Sequence, residues 1–374
     1  MRSEISPSQL RALYLVSILS PMIRLVPGYP AYLAGRGAIL SPLLALVPEL
    51  VYALFFYTQL NRGGDLCTRI REGGGGWFLL ILGLWLSFYS GFILRTAAER
   101  LLSTIYKDGS RYFFVAAILA VALLGAKGRV RTLGRAASVF LPVIGAVLVL
   151  SCVFGIGDAK WEYILPVTLS DLSGAAKGAL PIFDVTTVGI YFLLFPVKEA
   201  WEKGLGRKIL LIPPLLTAIL TLLQLAVMAD LSVPITGSFR NPFFVMVQNL
   251  NVFGRAERVE AVAIALWLIT DYLYLSVMLR ASGEAMRSAL GGRSVRPAVL
   301  AAGGGAFVSA FLCGRSTFSV VPLSGFWVPA INLFFTLAAL PFMILICKLR
   351  KNTICRTKTK QKKQNILLKP LRKK

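Results

Sequence analysis

The sequence contains no histidine, and it has few acidic residues, 17 against 41 lysines and arginines. Without histidine there is no Ser-His-Asp triad, no imidazole general base and no histidine metal ligand. Cysteine is also sparse, and no two cysteines form a C-x-x-C pair. We therefore expect no metal site and no cofactor, and we expect that the protein is not an enzyme. The cysteines, read as ordinary apolar residues, are Cys67, Cys152, Cys313, Cys347 and Cys355.

Long apolar runs fill most of the chain. Hydrophobic residues make up 56% of it, and the mean hydropathy is +0.70. A run of about 20 apolar residues is long enough to cross the hydrocarbon core of a bilayer. The sequence predicts an all-α polytopic membrane protein with one transmembrane domain over 1–347 and a disordered basic tail over 348–374. The ten predicted spans are 9–30, 38–60, 77–98, 112–126, 137–157, 179–197, 208–231, 259–280, 297–314 and 319–347.

The distribution of positive charge predicts the orientation of these spans. The termini and the loops on their side carry 29 lysines and arginines, whereas the alternate loops carry 10. Cytoplasmic loops are the basic ones, so both termini are predicted to be cytoplasmic. The tail supplies twelve of the 29 charges and contains no aromatic residue. A nucleic-acid platform would interleave aromatic side chains, so we expect this tail to lie on anionic lipid.

The first span has an unusual composition for a membrane helix. Pro21, Pro27 and Pro30 each remove a backbone donor, and Arg24 places a charge among them. An arginine near the bilayer centre costs about 2.5–3.5 kcal/mol on the insertion scale. Such a break is tolerated only where it faces protein or a watery cavity, as in the substrate sites of secondary transporters. We therefore expect a broken first helix with the functional site beside it.

The sixth span repeats this irregularity. It opens with a proline and continues with Asp184, Thr186, Thr187 and Gly189. Irregular helices that lead each half of a ten-helix protein are typical of an inverted repeat. An irregular helix at the start of each half favours a five-plus-five architecture in which the first and sixth helices are both broken.

Four stretches resemble one known family. They are ISPSQL (5–10), ILRTAAERL (93–101), ILPVTLSDLSGAAKGAL (164–180) and NPFFVMVQNLNVFGRAERVEAVAIALW (241–267). In order and spacing they are similar to the spore-germination permeases, the B subunits of nutrient germinant receptors, in the amino acid–polyamine–organocation superfamily. The resemblance implies a pocket for a small germinant between spans one, three, six and eight. It also implies a membrane A subunit and a lipoprotein C subunit as partners, in the spore inner membrane.

The sequence departs from that family at both helix breaks. Where the resemblance leads us to expect a glycine-rich first break, this chain has Ser20-Pro21-Met22. In the sixth span Asp184-Val185-Thr186-Thr187 stands where Gly-Glu-like residues are expected. Ser20 and Met22 remain candidate substrate contacts, and a degenerate paralogue that senses nothing stays open as an alternative.

The ionisable groups inside the spans carry the remaining hypotheses. Arg24 is expected to bind a substrate carboxylate in a bidentate geometry, and Asp184 or Asp271 to hold an ammonium group or a coupling ion. Alternatively, Arg24 and Glu49 form an internal salt bridge that fixes helix packing. Three further residues have both a functional and a structural interpretation. Arg95 and Glu99, four residues apart, form either a coupling pair or an interfacial ion pair, and Tyr89 is either a pocket residue or a packing residue.

Two functions follow from these patterns. The first is a non-enzymatic receptor subunit that binds an amino acid-like nutrient and shifts a conformational equilibrium felt by its partners. The second is an amino acid–cation symporter of the cell membrane. Uptake into proteoliposomes under an ion gradient distinguishes them, because the receptor does not accumulate solute.

Overall fold

The computed structural model describes residues 5–61, 65–104, 106, 108–157, 159–195, 209–239, 241–249, 259–313 and 323–350. Within its helices, a few side chains are not described, and those of Ser20 and Arg24 are among them. Residues 351–374 of the predicted basic tail lie outside the described residues, and so does Cys355, whereas residues 348–350 are helical. The other four cysteines are free and buried.

The described residues form helices and contain no strand. We number the α-helices in chain order. They are α1 Pro7–Leu25, α2 Gly28–Ala34, α3 Ser41–Asn61, α4 Leu66–Glu72, α5 Gly76–Thr104, α6 Arg111–Lys127, α7 Val130–Gly157, α8 Leu172–Thr187, α9 Ile212–Leu231, α10 Val233–Ser238, α11 Pro242–Asn249, α12 Val259–Leu290, α13 Arg296–Leu312 and α14 Val328–Leu333. Tight 3₁₀ turns cover Gly35–Leu40, Trp161–Tyr163, Leu169–Asp171 and Val188–Leu194, and wide π turns cover Leu323–Trp327 and Phe334–Ala339.

Each of the ten predicted spans corresponds to a helix. Seven described stretches are long and apolar enough to cross a bilayer. They are Gly28–Gln59, Gly76–Ser103, Val130–Gly157, Leu169–Leu194, Ile212–Leu231, Ala263–Leu290 and Val328–Arg350. The other three predicted spans appear as α1, α6 and α13. The protein is a multi-pass membrane protein.

The helices pack in two groups around the sixth span. In one group, α8 packs against α2 and α3 and touches α1; in the other, α5 packs along α12 and α13, with α6 beside them. The most apolar part of Leu169–Leu194 is 83% buried, whereas that of Val130–Gly157 is only 28% buried. The sixth span is therefore central, and α7 leaves most of its apolar surface exposed.

Local chemistry explains where these helices begin and how closely they pack. At the start of α1, the Ser6 hydroxyl accepts from the backbone N–H of Gln9, and the Gln9 side chain accepts from the N–H of Ser6. A side chain at Gly91 would overlap Ser309 on α13, and one at Gly305 would overlap Ser87 on α5. Small residues at these points let the two helices approach closely, as in other membrane helix pairs.

The structure corrects two assignments made from charge. The predicted third span ends at 98, which places Arg100 among the charges of an outer loop, and Arg280, the last residue of the predicted eighth span, was counted with the cytoplasmic charges. Helices α5 and α12 continue to Thr104 and Leu290 and include both arginines. Both arginines are buried, and each pairs with an acid inside the protein. Their charges are neutralised by acidic side chains, so apolar length alone placed the helix ends too early.

Candidate functional site

The first helix is interrupted, as expected, but at one point only. Helix α1 continues through Pro21, and the chain turns at Val26 and Pro27 before α2 begins. Both turn residues keep right-handed helical backbone angles, so the backbone at the interruption is not extended. On the neighbouring α9, the fully buried Gln224 donates to the carbonyl oxygen of Pro27 at 3.1 Å. This contact is the kind of partner that an interrupted membrane helix requires.

The sixth helix changes its winding where the sequence predicted an irregularity. Helix α8 ends at Thr187, and the chain continues as a 3₁₀ turn from Val188. At this change the carbonyl oxygen of Thr186 accepts from the Tyr14 hydroxyl at 3.4 Å, and that of Thr187 accepts from the Tyr52 hydroxyl at 3.3 Å. Tyrosines from the first and second spans thus satisfy the backbone of the sixth. A 3₁₀ stretch is common at the end of an α-helix, and this one leads to extended backbone at Phe195.

The tenth span is irregular at the same place. Its π turn over Phe334–Ala339 contains Thr336, whose hydroxyl lies 3.1 Å from that of Thr187. The Tyr52 hydroxyl, which bonds to Thr187, is also 3.4 Å from the carbonyl oxygen of Thr336. Hydroxyl groups therefore join the two irregular helices. In two regular helices, the backbone groups at this point would instead be bonded within each helix.

Asp184 belongs to the same assembly. Its Oδ1 accepts from Asn332 Nδ2 at 2.7 Å, and Asn332 Oδ1 accepts from the Tyr191 hydroxyl at 2.9 Å. Asp184 is 4% exposed, and both of its network partners are fully buried. We call the whole set the polar junction. It consists of Tyr14, Glu49, Tyr52, Asp184, Thr186, Thr187, Tyr191, Asn332 and Thr336.

Glu49 lies at the edge of the polar junction and lines a small cavity. Thr186, Gly189, Tyr14 and Tyr52 line the same cavity. A side chain at Gly189 would overlap the ring of Tyr14, so glycine is needed for that ring to pack against the sixth helix. The free volume is about 20 Å³, enough for about one water molecule.

Asp271 is placed differently from Asp184. It forms an ion pair with Arg100, and the guanidinium of Arg100 lies 5.2 Å from the ring centre of Trp267. The acid and the arginine come from α12 and α5, so the pair joins the third span to the eighth. Asp271 was proposed to hold an ammonium group or an ion, and here the charge of Arg100 balances it.

The remaining predicted residues lie in the third and eighth spans or on the first helix. Arg95 Nε donates to Glu99 Oε1 at 2.7 Å, and both side chains are buried inside the protein. The Tyr89 and Tyr274 hydroxyls lie 2.8 Å apart. Met22 is fully buried. The side chains of Ser20 and Arg24 are not among those described, so their roles, and the Arg24–Glu49 alternative, stay predictions.

The sequence analysis overlooked five members of the polar junction. Tyr14, Tyr52 and Tyr191 gave no signal, because tyrosines are common in membrane helices as packing residues. Asn332 and Thr336 did give one: they are polar, four residues apart and surrounded by apolar residues. At that spacing two helical side chains share a face, which marks a polar stripe inside the protein.

The chain resembles solved transporters over most of its length. A Na⁺-coupled sialic acid symporter in a substrate-bound outward-open state is 13% identical, with a TM-score of 0.55 over 89% of this chain and 79% of the symporter. MhsT in complex with L-phenylalanine is 12% identical, with a TM-score of 0.54 over 90% of this chain and 98% of MhsT. These likenesses confirm the fold, the five-plus-five inverted repeat of such transporters.

Sequence comparisons decide the family. A search of curated proteins found no match. The spore permease family model, described as "Spore germination protein", matches residues 5–296 of the 374. A match over this much of the sequence, together with the transporter fold, confirms the resemblance that the four motifs suggested. The chain belongs to the spore germination protein family and is a membrane protein with the architecture of a transporter.

Proposed function

We propose that this protein is the B-type subunit of a nutrient germinant receptor and that it recognises a small amino acid-like molecule at the polar junction. The observation that carries the proposal is the meeting of two irregular helices there. The sixth helix becomes 3₁₀ and the tenth becomes π where they touch, and hydroxyl groups join them. Binding is proposed to change this contact and to signal to an A subunit and a lipoprotein C subunit.

The polar junction has the chemistry that an amino acid requires. The Asp184 carboxylate can accept from an ammonium group, and the hydroxyls of Tyr14 and Tyr52 can donate to a carboxylate. These hydroxyls now bond to carbonyl oxygens of the sixth helix, so a ligand would compete with that helix for them. Asp184 is the better candidate for the ammonium contact, because Arg100 already balances Asp271.

The cavity beside Glu49 is too small for an amino acid. We therefore propose that the structure represents a closed conformation and that the ligand binds an opened one. A ligand shifts such an equilibrium only by its preference for one state, and moving it from 1:99 to 99:1 takes about 5.5 kcal/mol. We propose that Arg24, with Ser20 and Met22, faces the opened site from the first helix.

The experiment is a stability screen of the purified protein in detergent with each common amino acid. At least one is expected to raise the unfolding temperature, because a ligand that binds only the folded state stabilises it. Tyr52→Phe should weaken the binding of that amino acid by about five- to tenfold, as expected for one lost hydrogen bond. Tyr32→Phe is the matched control, since Tyr32 is 73% exposed. Equal affinity of Tyr52→Phe and wild type for that amino acid would refute the proposal that the ligand binds at the polar junction.

The symporter alternative is favoured by one of the structural neighbours, which is a Na⁺-coupled symporter. Proteoliposomes with an imposed Na⁺ or proton gradient test it directly. The receptor proposal predicts no accumulation of the stabilising amino acid above equilibrium. Gradient-driven accumulation would establish transport in place of signalling.

We further propose that the protein resides in the spore inner membrane with both termini cytoplasmic. In a Cys355→Ser background, a single new cysteine at exposed Ser170 should react with an impermeant thiol reagent added outside protoplasts. A cysteine at exposed Ser294 should react only after the membrane is opened. The reverse pattern would invert the proposed topology.

A further inference from the structure

Glu49 is buried inside the bundle with nothing described that balances its charge. The residue is 3% exposed, and neither carboxylate oxygen has a hydrogen-bond partner among the described atoms. Three other buried acids in the spans differ: Asp271 and Glu99 pair with arginines, and Asp184 accepts from Asn332. An ionised carboxylate left so far from water is unfavourable, and a buried acid commonly takes up a proton instead.

The described groups that line the cavity around Glu49 are neutral. The first span contributes Tyr14, the second contributes Tyr52, and the sixth contributes Thr186 and Gly189. The described part of the seventh span contributes only apolar side chains to the cavity. Arg11 lines a separate cavity beyond Tyr14 and forms no ion pair with Glu49. None of the described neighbours of Glu49 therefore supplies a positive charge that would stabilise its ionised form.

The size of the cavity limits what can neutralise Glu49. A free volume of about 20 Å³ holds one water molecule and excludes an amino acid. A metal cation would need a shell of several oxygen atoms, and a cavity with room for about one water molecule leaves little space for such a shell. A proton needs no such shell.

We propose that Glu49 is a proton-binding site that is occupied in this conformation. Its cavity is bounded by the winding change of the sixth helix, since Thr186 and Gly189 line it. Opening of that helix would admit water, allow Glu49 to ionise and release the proton. Proton binding at Glu49 would then stabilise the closed conformation, and this would hold whether or not an amino acid binds nearby.

The test is infrared spectroscopy of the purified protein in lipid nanodiscs at neutral pH. The wild-type spectrum should contain the carbonyl stretch of a protonated carboxylic acid, and this band should be absent from the spectrum of Glu49→Gln. Glu162→Gln is the matched control, because Glu162 is exposed in an outer loop and should lose only the band of an ionised carboxylate. If the glutamine variant does not fold, Glu49→Asp replaces it and should shift the acid band without removing it.

A second measurement distinguishes a proton bound at Glu49 from a metal cation bound there. Glu49→Gln should leave the unfolding temperature unchanged when Na⁺ is exchanged for choline, as in wild type. Loss of an ionised-carboxylate band in Glu49→Gln would overturn the proposal. Stabilisation of wild type by Na⁺, absent in the variant, would assign a metal cation instead. Neither readout depends on germinant binding, so this inference and the proposed function can fail separately.

Discussion

Replacing Asn332 with alanine removes the side chain that joins the tenth helix to the sixth. Its amide group donates to Asp184 Oδ1 at 2.7 Å, and its oxygen accepts from the Tyr191 hydroxyl at 2.9 Å. The variant loses both bonds and leaves a buried carboxylate oxygen and a buried hydroxyl without these partners. The cost should therefore exceed that of losing contact area alone.

The two bonds set the expected magnitude. Hydrogen bonds between membrane helices contribute about 0.6 kcal/mol on average and about 1.7 kcal/mol at most. Two of them give a loss of about 1–3 kcal/mol in the free energy of unfolding. The upper part of this range is expected, because Asp184 and Tyr191 both remain buried. A double-mutant cycle with Asp184→Asn should give a coupling energy of about 0.5 kcal/mol or more.

The assay is reversible unfolding in mixed micelles, with the free energy taken from the transition. Asn249→Ala is the matched control, because Asn249 is exposed at the end of α11 and should change stability by less than about 0.5 kcal/mol. If Asn332→Ala were no less stable than this control and the cycle gave no coupling, the network would not hold the two helices together.

Two further substitutions test other parts of the structure. Arg100→Met should lower the free energy of unfolding by about 3–5 kcal/mol, because it removes the ion-pair partner of the buried Asp271, whereas exposed Arg131→Met should have little effect. Equal unfolding transitions for the two variants would refute this. Gly189→Ala should destabilise the protein by about 1–3 kcal/mol, because the new methyl group overlaps Tyr14. Gly145→Ala meets open space among the described residues and should stabilise α7 by up to about 1 kcal/mol, so thermal unfolding should shift in opposite directions.

The number and order of the helices could be predicted from the sequence because the bilayer fixes the length of an apolar run. The break in the first helix was harder to place. Pro21 lies inside α1, and Pro48, Pro142 and Pro181 also lie inside helices. The chain is interrupted at Pro27, where Gly28 follows and Pro30 removes a second donor within one turn. A single proline is therefore a weak signal, and closely spaced prolines are a stronger one.

The partners of the buried charges could not be predicted. The identity of a partner depends on how two helices are rotated and on where each one ends. Asp271 was expected to face a ligand, but α5 continues past its predicted end and brings Arg100 to it. The position of the candidate site also depended on the packing of the helices. The sequence predicted a site beside the interruption of the first helix, but Tyr14, which contacts the sixth helix, lies about three helical turns before that interruption. The sixth-span residues were identified correctly as an irregular segment, and their contacts required the fold.

The most direct test of the account is an electron cryo-microscopy map of the protein in nanodiscs, saturated with the amino acid that stabilises it most. We predict density for the amino acid beside Asp184, with the Tyr52 hydroxyl moved away from the carbonyl oxygens of Thr187 and Thr336. Density for the amino acid elsewhere, with the polar junction unchanged, would contradict the account.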